Sequence, residues 1–303
     1  MIQQVNKPKE LEVYETLNGR INFTQEQKAK IRNLQKGYEG EKRFSNQLNE
    51  LTNQRYIPLF DILLEESGTI FQLDCLLIFP HEIILLEVKN YYGEFMLNED
   101  YLYSLSHKKR YRNPLHQLQR SQLQLSEFFT KHNINLPLTS HVIFINQEFT
   151  LFHAEHSPKI ILPTQLEAFL KKLNNKAGTI QQSHYNIAKS LLDQQFNYPL
   201  HNRLPEYCYS QLQKGILCKS CRIHLINENR KVYCARCGKE EQMEVAIMRN
   251  VHEYHLLFPE EKISIKKITD WCGDMISKSA IKRALIKNMN LKKNGIHSYY
   301  TFI

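Results

Sequence analysis

Two apolar runs separated only by Pro80-His81 carry charge where charge is expensive. The first, Ile70-Phe-Gln-Leu-Asp-Cys-Leu-Leu-Ile-Phe79, holds one acid, Asp74; the second, Glu82-Ile-Ile-Leu-Leu-Glu-Val-Lys89, holds Glu87 and Lys89. Runs this short and this apolar suit interior strands, and a buried strand must satisfy such charges or use them. Residues 87 and 89 are two apart, so a strand points both to one face and Val88 to the other. A hairpin at Pro80-His81 brings Asp74 alongside them. On this reading the two runs form a hairpin in a sheet on which an Asp, a Glu and a Lys converge near one edge.

The elements around this pair read as an α/β layout with a mixed sheet flanked by helices. Residues 1–36 are polar with Leu11, Tyr14, Leu17, Ile31 and Leu34 at helical spacing, and Thr24 with Gln27 has the form of a capping box. This is an N-terminal helical extension, expected to pack on the domain that follows it. Residues 37–52 place Phe44, Leu48 and Leu51 on one helical face. Strands are expected at 57–65, 70–79 and 82–89, another from Tyr91, a partner for it at 101–105, and an interior strand at 141–145. Asn113-Pro114 opens a helix through about Lys131, with Pro in the first turn. Residues 160–162 read as a further strand, and 164–173 and 180–195 as helices. Residues 37–200 form the main domain, and Pro199 to Pro205 reads as a linker.

Asp, Glu and Lys in this arrangement point to phosphodiester hydrolysis. Mg²⁺, or Mn²⁺ in its place, takes oxygen ligands and uses one or two carboxylates, here Asp74 and Glu87, with the carbonyl of Val88 as a third donor. A divalent ion acts as Lewis acid and template, and Lys89 is placed to orient the attacking water and to stabilise phosphate charge. Asp74, twelve intervening residues, then Glu87-Val88-Lys89 resembles the PD-(D/E)xK motif of restriction-endonuclease-like nucleases. Gly37-Tyr-Glu-Gly40-Glu41, Asp74, Glu87-Val-Lys-Asn90 with Gly93, and Asn113-Pro114 with Gln117 together resemble the nuclease-related domain (NERD) family over roughly residues 35–150. The resemblance implies a restriction-endonuclease-like core and Mg²⁺-dependent DNA hydrolysis, with Glu41 as an accessory acid and Gln117 as a polar supporting residue. One departure is that Gln72-Leu73, not Pro, precedes Asp74. Each residue also has a plainer reading. Glu87 and Lys89 make a same-face ion pair, Asp74 a turn-proximal acid, Glu41 a helix-dipole partner and Gln117 a solvated helix residue.

Six of the seven cysteines follow residue 200, and four of them form Cys218-Lys-Ser-Cys221 and Cys234-Ala-Arg-Cys237, twelve residues apart. Two CxxC knuckles close a tetrahedron of thiolates around a structural Zn²⁺, and the intervening residues read as a hairpin, so residues 201–240 are expected to be a zinc ribbon. Cys75, Cys208 and Cys272 are left as unpaired thiols, buried or partly so. The last segment, residues 241–303, is expected to be winged helix-turn-helix-like: a helix ending at Gly273, a second over 277–287, and a hairpin turning at Asn294-Gly295.

Net charge of +9, from 40 Lys and Arg against 31 Asp and Glu, favours a polyanionic partner, DNA first, with RNA open. Lys108, Lys109, Arg110 and Arg112 are candidate phosphate contacts beside the acidic cluster, and Ser279, Lys282, Arg283 and Lys287 on the later helix. No apolar run approaches the roughly 20 residues that span a bilayer, and the opening residues lack a secretory signal, so a cytoplasmic protein with no membrane partner is expected. A homodimer is compatible with all of this. A non-catalytic DNA-binding protein on a nuclease-like scaffold, or a zinc protein of RNA processing or transcription, is the alternative.

Overall fold

The computed structural model describes residues 5–51, 55–196, 204–295 and 298–303. The linker expected at 199–205 therefore lies largely outside the described residues. Two helices open the chain, α1 (Lys9–Leu17) and α2 (Gln25–Asn49). Strands β1 (Ile57–Glu66), β2 (Thr69–Ile78), β3 (Ile83–Lys89), β4 (Gly93–Leu97), β5 (Tyr101–Ser104) and β6 (Lys109–Arg112) follow. Then come α3 (Pro114–Lys131), β7 (Leu138–Phe144), β8 (Phe149–Phe152), β9 (Ile160–Ile161), α4 (Pro163–Asn174) and α5 (Gln182–Asp193). The last part holds β10 (Ile226–Glu228), β11 (Lys231–Tyr233), β12 (Glu240–Gln242), α6 (Met243–Leu257), α7 (Ile265–Cys272), α8 (Lys278–Asn288), β13 (Asn290–Lys292) and β14 (Tyr299–Thr301). The chain divides into two compact units, residues 1–8 with 32–199 and residues 9–31 with 200–303.

The first unit is mixed α/β, as expected. Its main sheet has the order β1-β2-β3-β7-β9. The first three strands are antiparallel and the last two run parallel to β3. Both faces are covered, which is why β2 and β3 read as near-continuous apolar runs. Leu76, Ile78, Ile83 and Leu85 enter a core with Leu118, Leu125 and Phe128 of α3 and Leu191 of α5. Cys75, Leu77, Ile84, Leu86 and Val88 enter the other, with Phe44 and Leu48 of α2 and Leu166 and Leu170 of α4. Burying a side chain of this size contributes about 1.5–3 kcal/mol, so the two layers of β2 and β3 dominate the unit's stability.

Three features differ from the sequence reading. The helix starting at Thr24 and the helix over 37–52 are one element, α2, running straight through Gly37 and Gly40. Its start is the expected capping box: the Thr24 amide donates to Gln27 Oε1 at 2.8 Å, and the Gln27 amide to Thr24 Oγ1 at 3.2 Å. A second sheet, β6-β5-β4-β8, stands beside the first. Its β6 is the basic stretch itself, extended by pairing with β5 rather than left as a loop.

The second unit gathers α1, the short strands β10-β11-β12, the helices α6, α7 and α8, and the β13-β14 hairpin. Ser264 and Ser277 cap α7 and α8 through hydrogen bonds from the Lys267 and Ala280 amides. Gly273 ends α7 at φ +70°. The N-terminal segment is not decoration on the domain that follows it in the chain. Arg20, fully buried, donates to the Gln213 and Gly215 carbonyls, to Asn250 Oδ1 and to Glu253 Oε2, so α1 and its loop belong to this unit.

Candidate active site

Register places the acidic cluster. Cys75 stands opposite Leu86, which sets Asp74 across from Glu87 at the end of the β2-β3 ladder. The Val88 amide donates to Asp74 Oδ2 at 2.9 Å. Val88 itself points into the opposite core, as the two-residue period requires. Glu87 is 1% exposed, and its Oε1 accepts from Lys89 Nζ at 2.6 Å and from Gln117 Nε2. Gln117 Oε1 accepts a second bond from Lys89 Nζ at 3.1 Å. Gln117 reaches this position because Asn113, buried at the head of α3, caps it by accepting from the Leu115 amide. Glu87, Lys89 and Gln117 thus form a closed triangle, and Asp74 is tied to the backbone between two of them.

Local electrostatics is dominated by too many acids. Burial pushes the Asp74 carboxyl up to about 8, helped by the Glu87 charge and by a side-chain hydrogen bond with Glu87 that requires a proton between the two. Glu41, on the α2 turn after Gly40, is also pushed up to about 8 by burial, then by Asp74 and Asp61. Burial works to lower Lys89, but Glu87 and Asp74 beside it prevail and raise it above its usual value. The two carboxylates thus favour Lys89 as an ammonium.

Asp61 is a member that sequence reasoning missed. The β1-β2 ladder pairs Phe60 with Cys75 and Ile62 with Leu73, and skips Asp61 and Asp74 between them. Asp61 sits at φ +52°, a conformation that Asp tolerates better than most residues. Gln72 Nε2 donates to its carboxylate at 2.6 Å, and burial raises its pKa. The signal was present in Ile57-Pro-Leu-Phe-Asp-Ile-Leu-Leu, an acid inside an apolar run, the same criterion that singles out Asp74.

Residues 36–145 match the family model of the nuclease-related domain, NERD. The chain carries a nuclease-related domain. Glu41, Asp74, Glu87, Lys89 and Gln117 all fall inside the match. No curated protein and no solved structure matches the chain.

The oxygen donors of the nuclease-related domain suit a hard divalent cation. Burial and the neighbouring acids raise the Asp74 and Glu41 carboxyls, a crowding that a cation would relieve. Among the described residues, only the four cysteines bring three or more Cys, His, Asp or Glu ligand atoms within 4.8 Å of one another. The carboxylates form no such group among the described residues; Asp74 and Glu87 stand opposite each other in register, and a hard divalent ion uses one or two carboxylates with water and phosphate.

The cysteine group, in contrast, is closed. Cys218 Sγ and Cys237 Sγ are 3.7 Å apart, near the ~3.8 Å edge of a tetrahedron with Zn–S bonds of about 2.3 Å. Amide donors from Cys237 and Arg236 pull the Cys234 thiol down to about 6, while hydrogen bonds with Cys237 and Cys234 push the Cys221 thiol up to about 12, as the crowded thiols divide their protons. The quartet Cys218, Cys221, Cys234 and Cys237 fits one structural Zn²⁺ with no open position. Cys75 and Cys272 are buried free thiols; Cys208 is free and exposed, not buried as expected.

Lys108, Lys109, Arg110 and Arg112 are exposed on or beside β6. On α8, Ser279, Lys282 and Arg283 are exposed while Ile281, Ala284 and Leu285 are buried. Lys287 differs from its neighbours: its Nζ bonds Glu244 of α6 at 3.0 Å. Among the described residues, no helix is long and apolar enough to cross a membrane.

Proposed function

We propose that the nuclease-related domain hydrolyses DNA phosphodiester bonds with Mg²⁺ or Mn²⁺ held by Asp74 and Glu87, with the Val88 carbonyl as a further donor. The observation that carries this is the geometry at the end of the β2-β3 ladder: Asp74 stands across from Glu87, the Val88 amide holds Asp74, and Lys89 and Gln117 both bond Glu87. When bound, the cation would supply Lewis-acid polarisation of the phosphate and a more acidic water. Lys89 keeps its proton and donates to the charge that develops on the phosphate or to the incoming water. Gln117 fixes both Lys89 and Glu87 from α3, so the ammonium and the carboxylate enter the reaction already oriented. Glu41 serves as accessory acid.

The second unit engages nucleic acid under the same reading. Its helix, turn, helix, hairpin order supports a winged helix-like module presenting Ser279, Lys282 and Arg283. The zinc ribbon holds that module's base together. The three thiols outside the quartet, Cys75, Cys208 and Cys272, are free, which is consistent with a reducing, cytoplasmic setting.

Plasmid and oligonucleotide cleavage in Mg²⁺ or Mn²⁺ tests the proposal. Asp74→Ala and Lys89→Ala should each lower the rate by about 10²–10³-fold or more, with DNA binding largely retained. Equal cutting by wild type and both variants would assign the activity elsewhere and sink the reading.

A further inference from the structure

We propose that the outer face of the second sheet is a stacking platform for unpaired nucleotides, so that a DNA strand with unpaired bases next to the scissile bond is the preferred substrate. This rests on the nucleolytic reading and names its substrate class.

The sheet is two-faced by register. Phe95, Leu102 and Phe149 point into the core. On the other face a row crosses all four strands: Arg110 opposite Tyr103, Tyr103 opposite Met96, Met96 opposite Phe152. Arg112 stands opposite Tyr101 in the next row. Phe152 is 41% exposed, and Tyr101, Tyr103 and Met96 are half-buried. These rings leave part of their surface uncovered on this face, and a partner with π-faces would cover it.

A cavity of about 830 Å³ opens on this face, with Met96, Tyr101, Tyr103, Leu115, His116 and His153 in its wall. That is within the roughly 300–1,000 Å³ of small-ligand sites, room for a base with its sugar. A second cavity of about 450 Å³ shares Asn113 and His116 with it and adds Arg112 and Arg120. Glu99, Glu155 and Asp100 also line the two, able to accept from base amino groups. The guanidinium of exposed Arg110 lies 4.6 Å over the Tyr101 ring, a ready surface for a further stacked base. Cations beside rings is the composition that tracks a single strand: phosphates take the Arg side chains and bases take the π-faces. In a duplex those faces are already stacked on one another, and the rings have nothing to receive.

The platform is coupled to the cleavage site through one turn of α3. Leu115 and His116 line the cavity, and the next residue, Gln117, bonds Glu87 and Lys89. One turn of α3 therefore carries residues of both the cavity wall and the candidate cleavage site.

Binding of fluorescently labelled oligonucleotides to the full chain, without added Mg²⁺ or Mn²⁺, tests this independently of cutting. A single strand should bind more tightly than a blunt duplex of the same sequence. Tyr103→Ala and Tyr101→Ala should weaken single-strand binding by about 5- to 100-fold and leave duplex binding unchanged, while Tyr103→Phe behaves as wild type. A 2-aminopurine base in the single strand should be quenched by wild type and by Tyr103→Phe, but less by Tyr103→Ala. Duplex bound as tightly as single strand, unchanged affinity in the Ala variants, or absent quenching would each overturn the platform. Failure of the nucleolytic reading shows separately, as absence of cleavage by a chain that still prefers single strands.

Discussion

Asp74 and Glu41 hold protons in the folded chain that an unfolded chain would have lost. Both are pushed up to about 8 by burial and by each other's neighbourhood of acids, against ~4 for a carboxyl in water. Between these values the native state binds more protons than the unfolded one, so stability must fall as pH rises. The stabilising difference is fully present below the unfolded value near 4 and is gone above the folded value near 8. In metal-free protein the thermal midpoint of the first unit should therefore drop from pH 5 to pH 9. Asp74→Asn, which cannot ionise, should flatten that slope, and Mg²⁺ should restore stability more at pH 8.5 than at pH 6, because a cation must displace the protons. A midpoint independent of pH in wild type would contradict the crowding of acids. The members of this site were unequally legible. Asp74, Glu87 and Lys89 announce themselves as charges in apolar runs. Asp61 does too, but its place beside Asp74 depends on a left-handed backbone that period-two reasoning does not produce.

Elements meet at the site through a glycine whose role only the packing reveals. A Cβ on Gly40 of α2 would stand 2.6 Å from the Asn90 Cβ and 3.2 Å from its Cγ. A Cβ is fixed by its own backbone, so it cannot swing aside as the tip of a long side chain would. Asn90 also donates to the Lys36 carbonyl at 2.8 Å, locking the helix to the end of β3 one residue beyond Lys89. Glu41 is thus aimed at the carboxylates by the closeness of Gly40 to Asn90. Gly40→Ala should cost roughly 1–3 kcal/mol through overpacking and lower cleavage by displacing Glu41. Gly37→Ala, with nothing within 4 Å of its Cβ, should be neutral or stabilise by up to about 1 kcal/mol, the helix propensity gain. Urea unfolding of the two variants distinguishes them, and equal effects would refute the clash. Other elements were hidden for physical reasons of their own. In β6 the charge of Lys109, Arg110 and Arg112 masks a strand held by backbone pairing, with only Tyr111 packed inward. For α6 the signal was readable: Ala246, Ile247, Val251, Tyr254 and Leu257 follow helical spacing and are buried.

At the scale of the molecule, the chain divides into two compact units, and a single midpoint does not describe units that unfold separately. The chain supplies its own reporter for one of them. Its single Trp, Trp271, is fully buried in the second unit, with the Arg20 guanidinium 4.1 Å above its ring. Arg20 comes from the N-terminal segment, and its four hydrogen-bond partners lie nearly two hundred residues or more away along the chain. Such a link is invisible to periodicity, which reads neighbours only. Arg20→Ala leaves the Gln213 and Gly215 carbonyls and Asn250 Oδ1 short of a donor, while Glu253 keeps Arg249 and Arg222, a loss of about 1–3 kcal/mol. The Trp271 fluorescence transition should shift down by that amount, while the first unit, followed by hydrogen exchange in β2 and β3, keeps its stability. Removing zinc with a strong chelator, or Cys218→Ser with loss of one zinc per chain by elemental analysis, should lower the same Trp271 transition, since the cysteine quartet lies in the same unit. If Arg20→Ala left Trp271 unfolding where it is in wild type, residues 9–31 would not be the structural part of the second unit that their buried hydrogen bonds make them.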